Sequence, residues 1–311
     1  MPKGRPSIKE LLSLIKNTFK IFWARDPFSS SIVVAYYTIF SLPGLLVIII
    51  NVAGYFYGTE AVTKQLLGQV GGMIGSDTAR DVEAIVGKAS ESKGTVLSTI
   101  LSVATLLFGA TGVFYQIQQI LNKIWEVEPK PKQKIWKLVR DRLFSFGLIL
   151  VVGFLLLVSL VLSAGLSAFT SWFEHHISDA LTFLFYGIDL LISLAVITVL
   201  LASMYKFLPD AKLRWSDVWL GAILSSILFI IAKFGLGLYF GKAEPGSAYG
   251  AAGSIVLIML WVSYTGLIFF FGAEFTRVYA DRNGHKVKPA EIAEKAAEAD
   301  PAREKANPKP A

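Results

Sequence analysis

The chain has 311 residues, 54% of them hydrophobic and only 17% charged, with a mean hydropathy of +0.56. A soluble globular domain carries about 25% charged residues, so the composition sets soluble enzymes aside in favour of a polytopic membrane protein. The net charge of +7 calls for no nucleic acid, since positive residues gather on the cytoplasmic side of membrane proteins, and the lack of cysteine excludes a disulfide framework, a thiolate nucleophile and a cysteine metal site.

Residues 1–29 read as a cytoplasmic segment without the short apolar core and small-residue cleavage site of a secretory signal. Within it, 7–25 is amphipathic. Ile8, Leu11, Leu12, Ile15, Phe19 and Phe22 follow helical spacing and Lys9, Lys16 and Lys20 lie elsewhere around the helix, which predicts a helix lying in the membrane interface, apolar face down. Arg25-Asp26-Pro27 ends it, because the residue before proline avoids helix.

Residues 30–280 form the membrane domain. Crossing ~30 Å of hydrocarbon takes ~20 apolar residues in a helix, and six stretches meet that length, at 32–57, 96–121, 144–169, 181–204, 218–240 and 254–279. In lipid every backbone N–H and C=O must be paired internally, so the spans are helices and the fold class is an all-α bundle of six transmembrane helices. Pro43-Gly44 interrupts the first span as a candidate kink. The long loop 58–95 carries two amphipathic patterns, Val62, Leu66, Val70 and Met73, then Val82, Ile85, Val86 and Ala89, separated by Gly71-Gly72 and Gly75-Ser76. They read as two short helices resting on the outer surface, or as a lid. Ser159, Ser163 and Ser167 on span three, and Gly237 and Gly241 on span five, are small-residue stripes that let helices approach closely. Residues 281–311, rich in Ala, Glu, Lys and Pro, read as a disordered cytoplasmic tail, with Arg282-Asn283-Gly284 stopping the last helix.

Lys and Arg divide between alternate connections. There are six before span one, seven in 122–143, three in 205–217 and eight from Arg277 onward, against four in 58–95, none in 170–180 and one in 241–253. The positive-inside rule then puts both termini in the cytoplasm.

Charges at membrane depth are costly and mark partners or polar cavities. Asp189 and Lys233 lie ~12 Å and ~10 Å from the outer end of their spans at ~1.5 Å per residue. Matching depth and opposite sign predict a pair, either a gate for a charged substrate or a buried ion pair setting helix register. Glu274 lies ~8 Å from the inner end of the last span, at the level of Tyr36, Tyr37, Gln116 and Gln119. These five would line a cavity open to the cytoplasm, or Glu274 pairs with Arg277 or with a basic residue of 205–217. No histidine spacing of the HExxH kind is present, so no metal, cofactor or catalytic residue is expected.

Several runs resemble one family. Ala35-Tyr36-Tyr37-Thr38 through Ser41-Leu42-Pro43, Gly109-Ala110-Thr111-Gly112-Val113-Phe114 with Leu121-Asn122-Lys123-Ile124-Trp125, Tyr205-Lys206-Phe207-Leu208-Pro209-Asp210, and Tyr249-Gly250-Ala251 followed by Leu260-Trp261 and Gly272-Ala273-Glu274 are similar to the BrkB/YihY family over about 30–282. That resemblance implies a six-span bacterial inner-membrane protein, with members called virulence factors or ribonuclease BN and some linked to envelope lipid export. The ribonuclease label finds no support in these residues. The sequence reading is therefore a non-enzymatic transporter or flippase of an envelope lipid, glycolipid or other amphiphile, in contact with membrane lipids and not with nucleic acid. The alternatives are a non-transporting scaffold for envelope biogenesis with inner-membrane protein partners and, remotely, a nuclease using loop 122–143.

Overall fold

The computed structural model describes residues 7–74, 76–90, 112–130, 179–243, 245, 249, 252–285, 287–290 and 293–295. Expectations for 144–169, including the Ser159, Ser163 and Ser167 stripe, and for 96–111 lie outside these residues. The described chain is helical: α1 (Ile8–Ala24), α2 (Pro27–Tyr57), α3 (Thr59–Ile74), α4 (Ser76–Ser90), α5 (112–124), α6 (Asp179–Phe207), α7 (Trp215–Ala243) and α8 (Gly253–Arg282), with four strands of two or three residues. Leu190–Phe207, Trp215–Phe240 and Gly253–Arg282 are each long and apolar enough to cross a membrane, and Pro27–Leu42 is a shorter apolar stretch at the start of α2. The protein is an all-α membrane protein.

α8 is the central post. Its 30 residues extend ~45 Å at ~1.5 Å each, well beyond ~30 Å of hydrocarbon. α2 and α7 flank it along its length, while α1 packs along its C-terminal end. Glu10 pairs with Arg282 at 2.9 Å, Leu14 packs with Phe275 and Val278, and Phe22 meets Phe271 edge-on at 5.4 Å. Ser31 of α2 continues the series beside Gly266. α1 and α2 thus form one broken rod running antiparallel to α8.

The break has a local cause. Ser7 and Glu10 cap the start of α1 reciprocally. At its end Asp26 adopts a left-handed conformation, φ 52° and ψ 67°, which Asp tolerates better than most residues. Pro27 then opens α2, and the Ser29 N–H donates to the Asp26 carboxylate at 3.3 Å. α1 packs on α8 by one face and leaves a second apolar face exposed. Leu14, Thr18 and Phe22 are buried, whereas Leu11, Leu12, Phe19 and Trp23 are exposed. α1 carries two apolar faces, and α8 takes the narrower one.

The two helices expected in 58–95 form as α3 and α4, with α3 passing through Gly71-Gly72 and ending at Ile74. Their apolar faces pack on the bundle. Val82 is buried with Leu46, Phe240 and Ile258 of three different helices, and Val62 packs on Ile50. α2 continues as one helix through Pro43-Gly44 to Tyr57.

A close helix crossing lies between α7 and α8. A Cβ on Gly272 would overlap the Ser225 hydroxyl and stand 2.5 Å from Tyr205 Oη, and one on Gly221 would overlap Thr276 Oγ1. Gly221 and Ser225 on one helix, and Gly272 and Thr276 on the other, are small residues four apart that bring two backbones together. The Gly237 stripe does not serve here, since no described atom approaches within 4 Å of a Cβ placed there.

The segment after α8 is not a featureless tail. Gly284, at φ 70°, reverses the chain, and the His285 N–H reaches back to the Ala280 carbonyl at 3.0 Å. β3 (Lys288–Pro289) then pairs with β2 (Ala211–Lys212), and β4 (Ala293–Lys295) with β1 (Val127–Pro129), both antiparallel. The disordered reading fails at these residues because two other connections offer strand edges that composition does not reveal.

Candidate functional site

A charged clamp sits where the α1–α2 break meets α8 and the end of α5. Glu274, on α8, is 1% exposed. Arg277 follows it one turn later, and the break swings Arg25 in from the other side. Each guanidinium Nε stands 3.8 Å from a different carboxylate oxygen of Glu274. Neither oxygen accepts a hydrogen bond from any described residue. The close contacts go elsewhere. Arg25 Nη2 and Arg277 Nη1 both donate to a single atom, Glu126 Oε1, at 2.8 Å each. Arg25 also donates to the Lys123 and Ile124 carbonyls at 3.0 and 3.2 Å, and Arg277 to the Ile124 carbonyl at 3.0 Å. These are carbonyls at the end of α5 that lack intrahelical partners, and a cation there also meets the negative end of the helix dipole.

Glu126 carries strain. Its φ is 54°, in the left-handed region that costs a non-glycine residue about 1 kcal/mol or more. A cavity of about 20 Å³ adjoins the clamp, lined by Arg25, Ser30, Lys123 and Glu274 against Phe22, Ile120 and Phe270. That volume admits about one water molecule.

A second polar cluster fastens α5 to the α6–α7 connection. The Asn122 amide donates to Asp210 Oδ2 at 2.7 Å and its carbonyl oxygen accepts from the Asp210 N–H at 2.7 Å. Gln118 adds a longer contact of 3.5 Å to Oδ1. All three side chains are buried. His285 Nδ1 lies 2.9 Å from the buried Asp217 carboxylate at the start of α7. Deeper in, the Tyr205 hydroxyl donates to the Phe269 carbonyl at 2.7 Å and meets Ser225 Oγ at 2.9 Å.

Two carboxylates outside the spans titrate low. Glu10 is held below the usual range chiefly by the Ser7 N–H, aided by Arg282. Asp26 is held low by the hydrogen bonds it receives from Ser29. Both therefore stabilise the fold above their ordinary values, and that contribution disappears as pH falls through the lowered ones.

The structure distributes the residues singled out by sequence. Of the five placed around an inner cavity, only Glu274 lines the one described. Tyr36 and Tyr37 are 55% and 40% exposed on α2 and contact each other edge-on, while Gln116 and Gln119 are half-buried on α5. Lys233 is exposed on α7. The side chains of Asp189, Pro43 and Gly44 lie outside the described set, and with them the Asp189–Lys233 pair. Arg277 does pair with Glu274. Arg25 and Glu126 went unread because nothing local links residues a hundred positions apart. Asn122 and Asp210 did carry a signal, since both lie in runs that resemble a family. Among the described residues no three His, Asp or Glu side chains gather as a metal site.

An all-α bundle with a buried charged clamp at one end defines an integral membrane protein with an ionic centre. Residues 18–297 match the family model described as virulence factor BrkB. The chain belongs to that family. It is 31% identical over 195 residues to a UPF0761 membrane protein of Tolumonas auensis, covering 61% of this chain and 59% of the relative. It is 25% identical over 296 residues to one of Rhodospirillum centenum, covering 90% and 60%. A third, from Alteromonas mediterranea, is 26% identical over 252 residues, covering 78% and 79%. The chain thus spans about three-fifths of the length of the first two of these curated relatives. No solved structure matches it.

Proposed function

We propose that this protein is a six-span protein of the bacterial inner membrane, both termini cytoplasmic, that moves an envelope lipid or other amphiphile. The orientation is supported by a coincidence of charge and geometry. The four Lys- and Arg-rich segments meet at one end of the bundle, where the N-terminal segment, the end of α5, the α6–α7 connection and the residues after α8 bond to one another.

The observation that carries the transport reading is Glu274. A carboxylate buried in a spanning helix is costly and typically faces a substrate path or an ionic partner. A purely architectural ion pair closes to ~2.7–2.9 Å with hydrogen bonds, yet Glu274 stays at 3.8 Å from both guanidiniums with neither oxygen bonded. It stands at the α1–α2 break, where a change in its pairing would move two helices. A scaffold is the second reading, favoured by the grip of the same arginines on the α5 carbonyls.

The test is native mass spectrometry of protein gently extracted from its own membrane, comparing wild type with Glu274→Gln and Asp189→Asn. A lipid or glycolipid held by wild type and lost in Glu274→Gln is the expected result. Absence of any lipid, with a stoichiometric protein partner in its place, refutes transport and favours the scaffold.

A further inference from the structure

We propose that Arg25 and Arg277 form a binding site for a phosphate group, and that Glu126 is its built-in occupant, displaced when the phosphate arrives. Three observations converge. Two guanidiniums from different helices aim at one oxygen, Glu126 Oε1, at 2.8 Å each. Guanidinium forks match phosphate at least as well as carboxylate, and two of them on one acceptor is a common form of oxyanion recognition.

The exposure is also one-sided. Glu126 is 58% exposed, against 25% for Arg25 and 17% for Arg277. The arginines are pinned by the Lys123 and Ile124 carbonyls, with Glu274 behind them. The carboxylate can swing into solvent while the guanidiniums stay in place, so the site is already assembled once Glu126 leaves. Finally, Glu126 is held at φ 54° in the turn between α5 and β1. The Glu126 N–H bonds the Lys123 carbonyl at 3.3 Å and the next residue, Val127, pairs with Lys295, so the turn is held by its own backbone and the Glu126 side chain can leave the guanidiniums without the turn refolding. A phosphodiester replaces the carboxylate charge for charge.

The shared chemistry is a phosphate, carried by a lipid headgroup or free. The lipid source rests on the amphiphile reading above, whereas the site itself does not. The experiment uses full-length protein in a phosphate-free, non-ionic detergent and isothermal titration with two probes, dihexanoyl phosphatidylglycerol and inorganic phosphate. Glu126→Gln removes the competing charge. Glu126→Gly removes the side chain and suits the positive φ, so it also secures folding, which circular dichroism and Tm verify.

If Glu126 fills the site nine-tenths of the time, its removal tightens binding about tenfold. We expect that gain for the lipid probe in both variants, and its loss when Arg277→Gln is added. A gain for inorganic phosphate alone upholds the site and contradicts the amphiphile reading. No gain for either probe in folded Glu126→Gly, or a gain that survives Arg277→Gln, overturns the site and leaves the Glu274→Gln experiment to decide transport separately.

Discussion

Gly272→Ala tests the α7–α8 crossing most directly. The added methyl overlaps the Ser225 hydroxyl and stands 2.5 Å from Tyr205 Oη and 3.0 Å from Ser225 Cβ. Relief requires Ser225 to turn away, which breaks its 2.9 Å bond to Tyr205. Overpacking costs ~1–3 kcal/mol and the lost buried hydrogen bond ~0.5–1.5 kcal/mol. Replacing glycine within a helix returns ~0.5–1 kcal/mol. The net expectation is a loss of ~0.5–4 kcal/mol. Gly221→Ala should cost more. Besides the Thr276 side chain, its methyl meets the Gly272 carbonyl oxygen at 2.7 Å, and backbone cannot rotate aside. Gly237→Ala, with open space among the described residues, should be neutral or mildly stabilising. Chemical unfolding in detergent of the three variants gives the order, and Ser225→Ala in the Gly272→Ala background should recover at least ~1 kcal/mol through coupling. A Gly272→Ala protein within ~0.5 kcal/mol of wild type, or no recovery in the double variant, would refute the close crossing.

Asn122→Leu should cost ~2–4 kcal/mol, because it removes two 2.7 Å bonds to buried Asp210, one of them to a charged group; the unfolding midpoint measures it, and Gln116→Leu on the same helix is the control expected near zero. Lowering the pH should loosen α1 from α8 as Glu10 and Asp26, both held low, become protonated, the loss setting in below the ordinary carboxylate range as pH falls through the lowered values. Hydrogen exchange across residues 8–24 along an acid titration reads this directly, and protection that stays unchanged down to acid unfolding of the whole protein would contradict it. Val82→Ala, at a side chain only 2% exposed, should destabilise by ~1–2 kcal/mol and make α3–α4 more open to proteolysis, whereas two helices merely resting on the surface would show neither effect.

Hydropathy and charge pattern alone identified the class of protein, because lipid leaves few ways to satisfy a backbone and those ways leave long apolar runs in the sequence. The helices beginning at Pro27, Asp179, Trp215 and Gly253 lie where those runs are, and the stop at Arg282-Asn283-Gly284 was legible because glycine's positive φ is a local property. Glu274 stood out for the same reason, as a charge in an apolar run. What surrounds it was not legible. Arg25 looked like part of a helix terminator and Glu126 like a loop residue; they meet only because the chain breaks at Asp26 and the broken rod of α1 and α2 runs along α8. The crossing at Gly221 and Gly272 competed in sequence with an equally plausible stripe at Gly237, and only the partner helix decides which small residues are used. Likewise, which apolar face of α1 is buried, and whether residues 288–289 and 293–295 find strand edges, depend on neighbours far away in the sequence. Periodicity is a one-helix property, while the clamp, the crossing and the strand pairings are properties of two or three segments meeting, so the tertiary structure alone decides them.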